Sequence, residues 1–274
     1  MRKHFTTILL LLILLAGVSL LLYPTVSDYW NSFHQSRAIA TYVDAVAELD
    51  EDDYEEMWEA AVAYNEALLE NPDRWNMSEE EEEDYNSILD VTGTGIMGYI
   101  EIPKINVYLP IYHGTDEGVL EVAIGHFAGS SFPTGGEGTH CVVSGHRGLP
   151  SAKLFTDLDQ LVEGDIFVMY VLDQTLTYEV DQILIVEPDD LTSLEIEEGE
   201  DLCTLVTCTP YGVNSHRMLV RGHRVENIED YTVSVTADAS LVNEKIVAVC
   251  VAVPILLILL IGVMAGHRGK RKKN

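Results

Sequence analysis

The sequence predicts a mainly β protein: a closed or nearly closed barrel preceded by helices and flanked by two transmembrane helices. Three observations predict it. Short strand-like runs separated by Gly/Pro turns follow one another from residue 97 to residue 225. Apolar residues recur at helical spacing over Tyr29–Leu69. Two long apolar runs, each with a basic flank, lie near the two ends of the chain.

The first of these runs, Phe5–Leu22, follows Arg2 and Lys3. The second, Ile246–Ala265, precedes His267, Arg268, Lys270, Arg271, Lys272 and Lys273. About 20 apolar residues span a bilayer as a helix. With both basic flanks on the outer sides, the positive-inside rule puts both termini in the cytoplasm and the middle outside. A cleaved signal peptide is the other reading of the first run, but the run is long for that purpose and no clear A-x-A site follows it. Thr236–Lys245 (TADASLVNEK) contains no wall-attachment motif, so the second run reads as a plain membrane anchor. The expected divisions are a tail and anchor over 1–23, helices and a loop over 24–94, and a barrel over 95–228. A linker over 229–245, a second anchor over 246–266 and a basic tail over 267–274 follow.

Charge divides along the same lines. Seven of the 16 Lys/Arg lie in the two tails, which leaves nine in the middle against all 45 Asp/Glu, a net charge of −36. Such a domain repels nucleic acid, and its acidity reads first as solubility. Of four cysteines, Cys250 falls in the second apolar run. The other three, Cys141, Cys203 and Cys208, face a compartment where disulfides form, yet three is odd, so one thiol stays outside any intrachain bond. No C-x-x-C and no zinc-like Cys/His spacing occurs, and the acidic runs lack the EF-hand pattern of a calcium site. No cofactor or metal is expected.

Within the helical region, Ala38, Val43, Val46 and Ala47 repeat on one face, as do Met57, Ala60, Ala61, Tyr64, Ala67 and Leu68. Asn71-Pro72 ends that pattern, since proline cannot continue a helix. Asn71–Met77 is then a loop, and Ser78 can N-cap a short acidic helix over Ser78–Asp84. The strand-like runs are Met97–Ile102, Ile105–Ile111, His140–Ser144, Asp165–Leu172, Thr175–Val186, Cys203–Thr207 and Arg217–Val225. Glu117–Ala123 fits one or two helical turns, and Asp173-Gln174 fits a hairpin turn.

The chemistry concentrates around TLVTCTPYG. Cys208 ends a strand just before a turn, and a nucleophilic thiol needs a base or a positive neighbour. His146 in VSGHRG also sits just past a short strand, and Arg217, Arg221 and Arg224 follow the turn. If the strands leading to His146 and Cys208 are parallel neighbours, imidazole and thiol meet at one rim, and a strand returning from Pro210–Ser215 brings Arg217 alongside. His113, His126, His140, His216 and His223 are rivals for the base. In the same register Cys141 and Cys203 become neighbours. A disulfide there would be strained, so two buried thiols are expected.

These segments resemble the sortases, membrane-bound cysteine transpeptidases of Gram-positive surfaces. The resemblance runs from about Gly95 to Arg224 through MGYIEIPKI, LPIYHGT, VVSGHRGLPSAKLFTDL and TLVTCTPYGVNSHRMLVRGHR. Pro-Tyr-Gly after the cysteine and a second membrane run are similar to class C, the pilin polymerases. The resemblance implies an eight-stranded barrel, with Cys208 as nucleophile, His146 as acid/base and Arg217 as the anion-stabilising residue. The substrates it implies are pilins or other surface proteins bearing an LPxTG-like signal. It also implies a lid over the site, carried here by Asp73-Arg74-Trp75 with Arg74 where proline is the family's residue. Asp73 is then expected to pair with Arg217, and Trp75 to shield Cys208. A sortase that anchors single proteins to the wall, or a non-catalytic pilin scaffold, are the competing readings.

Overall fold

The computed structural model describes residues 2–227. The predicted linker (229–245), second anchor (246–266) and basic tail (267–274) lie outside the described residues. Helix α1 runs from Arg2 to Ala47 and contains Pro24, so the predicted first anchor and the first predicted helix are one element. Leu9–Ala47 includes a stretch long and apolar enough to cross a membrane, with mean hydropathy 2.5. From Ser27 onward the described chain packs as one compact unit, and residues up to Val26 belong to a separate one.

Within the compact unit, α1 docks through Ile39 and Tyr42, both buried. The Tyr42 hydroxyl donates to Met97 O at 3.0 Å and accepts from Leu172 N at 2.8 Å. Its burial pushes the phenol up to about 12. Helix α2 (Glu51–Glu70) starts at Asp50, whose carboxylate accepts from Asp53 N, and three acidic residues occupy its first turn. Ser78 caps α3 (Glu79–Ser87) as predicted, and Glu81 reaches back to the Ser78 N–H at 2.7 Å to complete a capping box. Tyr85 of α3 is buried and its hydroxyl accepts from Gly114 N at 3.0 Å, which ties this otherwise acidic helix to the barrel.

Eight strands close the barrel: β1 (Ile96–Ile102), β2 (Val107–His113), β3 (Ile124–His126), β4 (Thr139–Ser144), β5 (Ile166–Val171), β6 (Gln174–Val186), β7 (Asp201–Thr209) and β8 (His216–Val225). Their order around the barrel is β1-β2-β3-β4-β7-β8-β6-β5. Two neighbouring pairs, β2/β3 and β4/β7, are parallel. The short helix α4 (Glu117–Leu120) leads into β3. β3 escaped the sequence reading because three residues carry no period; only its pairing with β2 and β4 defines it. The hairpin between β5 and β6 turns at Leu172–Asp173, one residue earlier than expected. Leu172 is buried and adopts φ 51°, and its N–H bonds Tyr42 of α1 instead of the sheet.

Successive strand residues alternate between faces. On β7, Cys203 and Leu205 point into the barrel with Val143, Met169 and Val220. Val206 points outward and packs with Val142, Leu219 and Leu194. Both faces of β7 are therefore covered near its middle, which explains why the adjacent residues Leu205 and Val206, on opposite faces, are both apolar.

Candidate active site

Cys208 and Arg217 are directly paired across β7 and β8. Opposed residues of an antiparallel pair project to the same face. Cys208 lies two residues beyond Val206, so that face is the outer one. Residues 208 and 217 therefore stand side by side at the end of the pair, with both side chains on that face. Both are half-buried.

His146 arrives from the other side of β7. The parallel β4/β7 register ends with Ser144 opposite Val206, and it continues through a 3.0 Å bond from Gly145 N to Val206 O. Carried two residues further, it brings position 146 level with position 208. Two contacts hold the loop there. The Thr207 hydroxyl donates to Gly145 O at 2.7 Å, and Phe155 N donates to His146 O at 3.1 Å. Gly145 is required by closeness: a Cβ there would come within 2.8 Å of both Ile124 and Phe155. The structure thus brings Cys208, His146 and Arg217 to one rim from three strand ends.

The rival histidines are engaged elsewhere. His113 bonds Gly95 O and Ile88 O, His126 bonds Tyr85 and Ser131 O, and His140 bonds Glu195 O and Thr204. Burial pushes His113 and His140 below the usual imidazole range. His216 faces Glu187 at 3.3 Å, and His223 lies 3.9 Å from Asp181. The other arginines are also committed. Arg221 bridges Asp181 and Glu197, each at 2.9 Å, and its bond to Asp181 raises it further. Arg224 donates to Thr175 O, Thr177 O and Val225 O. Arg217 differs. Among the described residues it forms no ion pair, and its Nη1 donates only to Asn214 O and His216 O at 3.4 and 3.2 Å. A cation without a carboxylate partner, beside a thiol, can hold an anion or a developing oxyanion.

The lid residues are arranged differently from expectation. Asp73 is exposed and its carboxylate accepts from Asn76 Nδ2 at 2.6 Å, not from Arg217. The residue that docks is Arg74, only 5% exposed. Its guanidinium donates to Glu195 at 2.8 Å and Leu194 O at 3.3 Å, and stacks over the Trp75 ring at 4.5 Å. Arg74 thus fastens the loop through its side chain. With Arg74 turned to the β6–β7 loop, Asp73 is left on the solvent side of the turn. Trp75 lies edge-on to Phe127 at 5.5 Å and packs on the outer patch of Val142, Val206 and Leu219, next to Cys208 along β7. A Trp75→Ala variant is expected to let Cys208 react several-fold faster with a thiol reagent. Equal labelling rates would show that the ring does not cover the sulfur.

Cys141 and Cys203 are direct partners across β4 and β7, both buried and both free thiols. Burial raises the Cys203 thiol well above its usual value, while Cys203 Sγ lies 3.3 Å from Met169 Sδ. Sequence reasoning did not single out Arg74 as an anchor or Arg147 as a part of the rim. An arginine where the resemblance implies proline, and one following His146 directly, were the available signals.

Comparison with known proteins follows this geometry. Residues 100–225 match the family description "Sortase domain". The chain is 55% identical to sortase C1 from Streptococcus agalactiae, whose crystal structure superposes with TM-score 0.68 over 70% of this chain and 100% of that one. It is 44% identical to Streptococcus pneumoniae sortase C, with TM-score 0.63 over 70% of this chain and 97% of that one. It is also 34% identical over 131 residues to Sortase D of Bacillus subtilis (strain 168), a match covering 47% of this chain and 63% of that protein.

Proposed function

This chain belongs to the sortase family, and from that premise we propose that it is a membrane-anchored cysteine transpeptidase of class C that polymerises pilin subunits. The observation that carries the proposal is the convergence of Cys208, His146 and Arg217 on one rim. The Cys208 thiolate attacks the Thr–Gly carbonyl of an LPxTG-like signal. Arg217 stabilises the oxyanion that forms. His146 protonates the departing glycine amine, which leaves a thioester on Cys208. A pilin lysine amine then enters, His146 removes its proton, and collapse releases the thiol and leaves an isopeptide bond. The thioester conserves the energy of the broken peptide bond, so no nucleotide is consumed.

In this reading the apolar run Phe5–Leu22 anchors the chain in the bilayer and the run at 246–266 crosses it a second time, with both termini cytoplasmic. Trp75 acts as the lid's cover over Cys208, with Arg74 fastening it. The test mixes the full chain, in detergent micelles, with a tagged pilin and its sorting signal. Ladders of covalent polymer that vanish in Cys208→Ala support the proposal. Single transfers to a peptidoglycan fragment without ladders would point to a wall-anchoring enzyme, and polymer that persists in Cys208→Ala would reject the mechanism.

A further inference from the structure

Arg147 lies at the rim and has no part in the proposed mechanism. It directly follows His146, and its side chain is only 10% exposed. Its Nη2 pairs with Asp159 in the 3-10 turn Leu158–Gln160. Its Nη1 makes a long 3.4 Å bond to the hydroxyl of Thr209, the residue after Cys208. The ring of Tyr211, in the turn beyond, lies 6.0 Å from the guanidinium carbon. Gly148, at φ 78° where glycine is favoured, lies against the same ring. The buried Nε has no hydrogen-bond partner.

Burying a guanidinium is costly, and an apolar side chain of similar volume fills such a space at least as well. What an apolar side chain lacks is a planar fork that reaches two loops at once. We infer that Arg147 is a positioning residue of the transpeptidation site: its guanidinium ties the residue after the imidazole to the residue after the thiol, and so sets the distance between His146 and Cys208. The inference rests on the proposed assignment of those two residues. Asp159 orients the fork and Thr209 receives it.

The test measures sorting-signal peptide cleavage and thermal unfolding for the full chain and its Arg147→Ala, Arg147→Lys, Thr209→Val, Thr209→Val/Arg147→Ala and Cys208→Ala variants. Arg147→Ala is expected to lower kcat about 100-fold with KM little changed, the scale that a misplacement of about 1 Å costs. Thr209→Val is expected to lower kcat about 10-fold at an unchanged melting temperature, because it removes the fork's partner and no core contact. The double variant is expected to equal Arg147→Ala, since partners in one contact are not additive. Lysine, which keeps the charge without the fork, is expected to restore little. Full restoration by lysine, an additive double variant, or a Thr209→Val kcat equal to wild type would each overturn the inference, the last even if Arg147→Ala fails to fold. Residual turnover in Cys208→Ala would instead reject the assignment of the nucleophile.

Discussion

An Arg217→Ala variant is expected to lose peptide cleavage by about 100- to 1,000-fold, the cost of removing one donor aimed at a tetrahedral oxyanion. Its Cys208 should still be alkylated by iodoacetamide, because the thiol itself is untouched. The strand pairing makes the argument. Arg217 is held opposite Cys208 by the β7/β8 ladder, so both side chains leave the sheet on the same face at the same level. It forms no ion pair there among the described residues, so no described carboxylate competes for it. Arg221, the nearest substitute in sequence, bridges Asp181 and Glu197 and is not available for the role. Arg221→Ala should therefore cost stability without this loss of rate. Cleavage kinetics of the two variants side by side check the assignment. Turnover within threefold of wild type in Arg217→Ala would remove Arg217 from the chemistry.

The second large effect is on folding. Phe155→Ala is expected to destabilise the compact unit by about 3–5 kcal/mol, the usual cost of emptying a fully buried aromatic position. Phe155 is fully buried in the barrel core. Its ring is one of the two groups that would collide with a Cβ at Gly145, and its N–H fastens His146 O. The cavity would therefore open directly beneath the loop that carries the imidazole. Denaturant unfolding measures the first part. The second part is a fall in kcat at temperatures well below the unfolding transition. A stability loss under about 1 kcal/mol would mean that the neighbouring side chains close the cavity, since such collapse is what lowers the cost of a deletion.

Much of this arrangement is legible in the primary structure. Ser78 and Glu81 announce the start of α3 because a capping box is a local device, complete within four residues. Most strands announce themselves by composition. β5 and β6 do so most clearly, as apolar and β-branched runs on either side of a short turn. The neighbourhood of Cys141 and Cys203 followed from equal spacing to His146 and Cys208, once the strands were taken as parallel, and the register bears it out. β3 was invisible, and so was the true turn at Leu172, because each depends on partners far away in the chain.

The lid marks the boundary most sharply. Its position between two helices could be read from Asn71-Pro72 and Ser78, but its contacts could not. Sequence spacing carries no information on which carboxylate an arginine will find, so Arg74 rather than Asp73 turned out to hold the loop, through Glu195 on a segment some 120 residues away. The sequence by itself determined the helix caps, the strand pattern, the placement of charge and the residue types needed for thiol chemistry, all of which are set by neighbours within a few positions. Only the tertiary structure decided which thiol, imidazole and guanidinium share a rim. That depends on the closure of β4 against β7 and of β7 against β8, and a strand's register is chosen by the whole barrel's packing rather than by the strand alone.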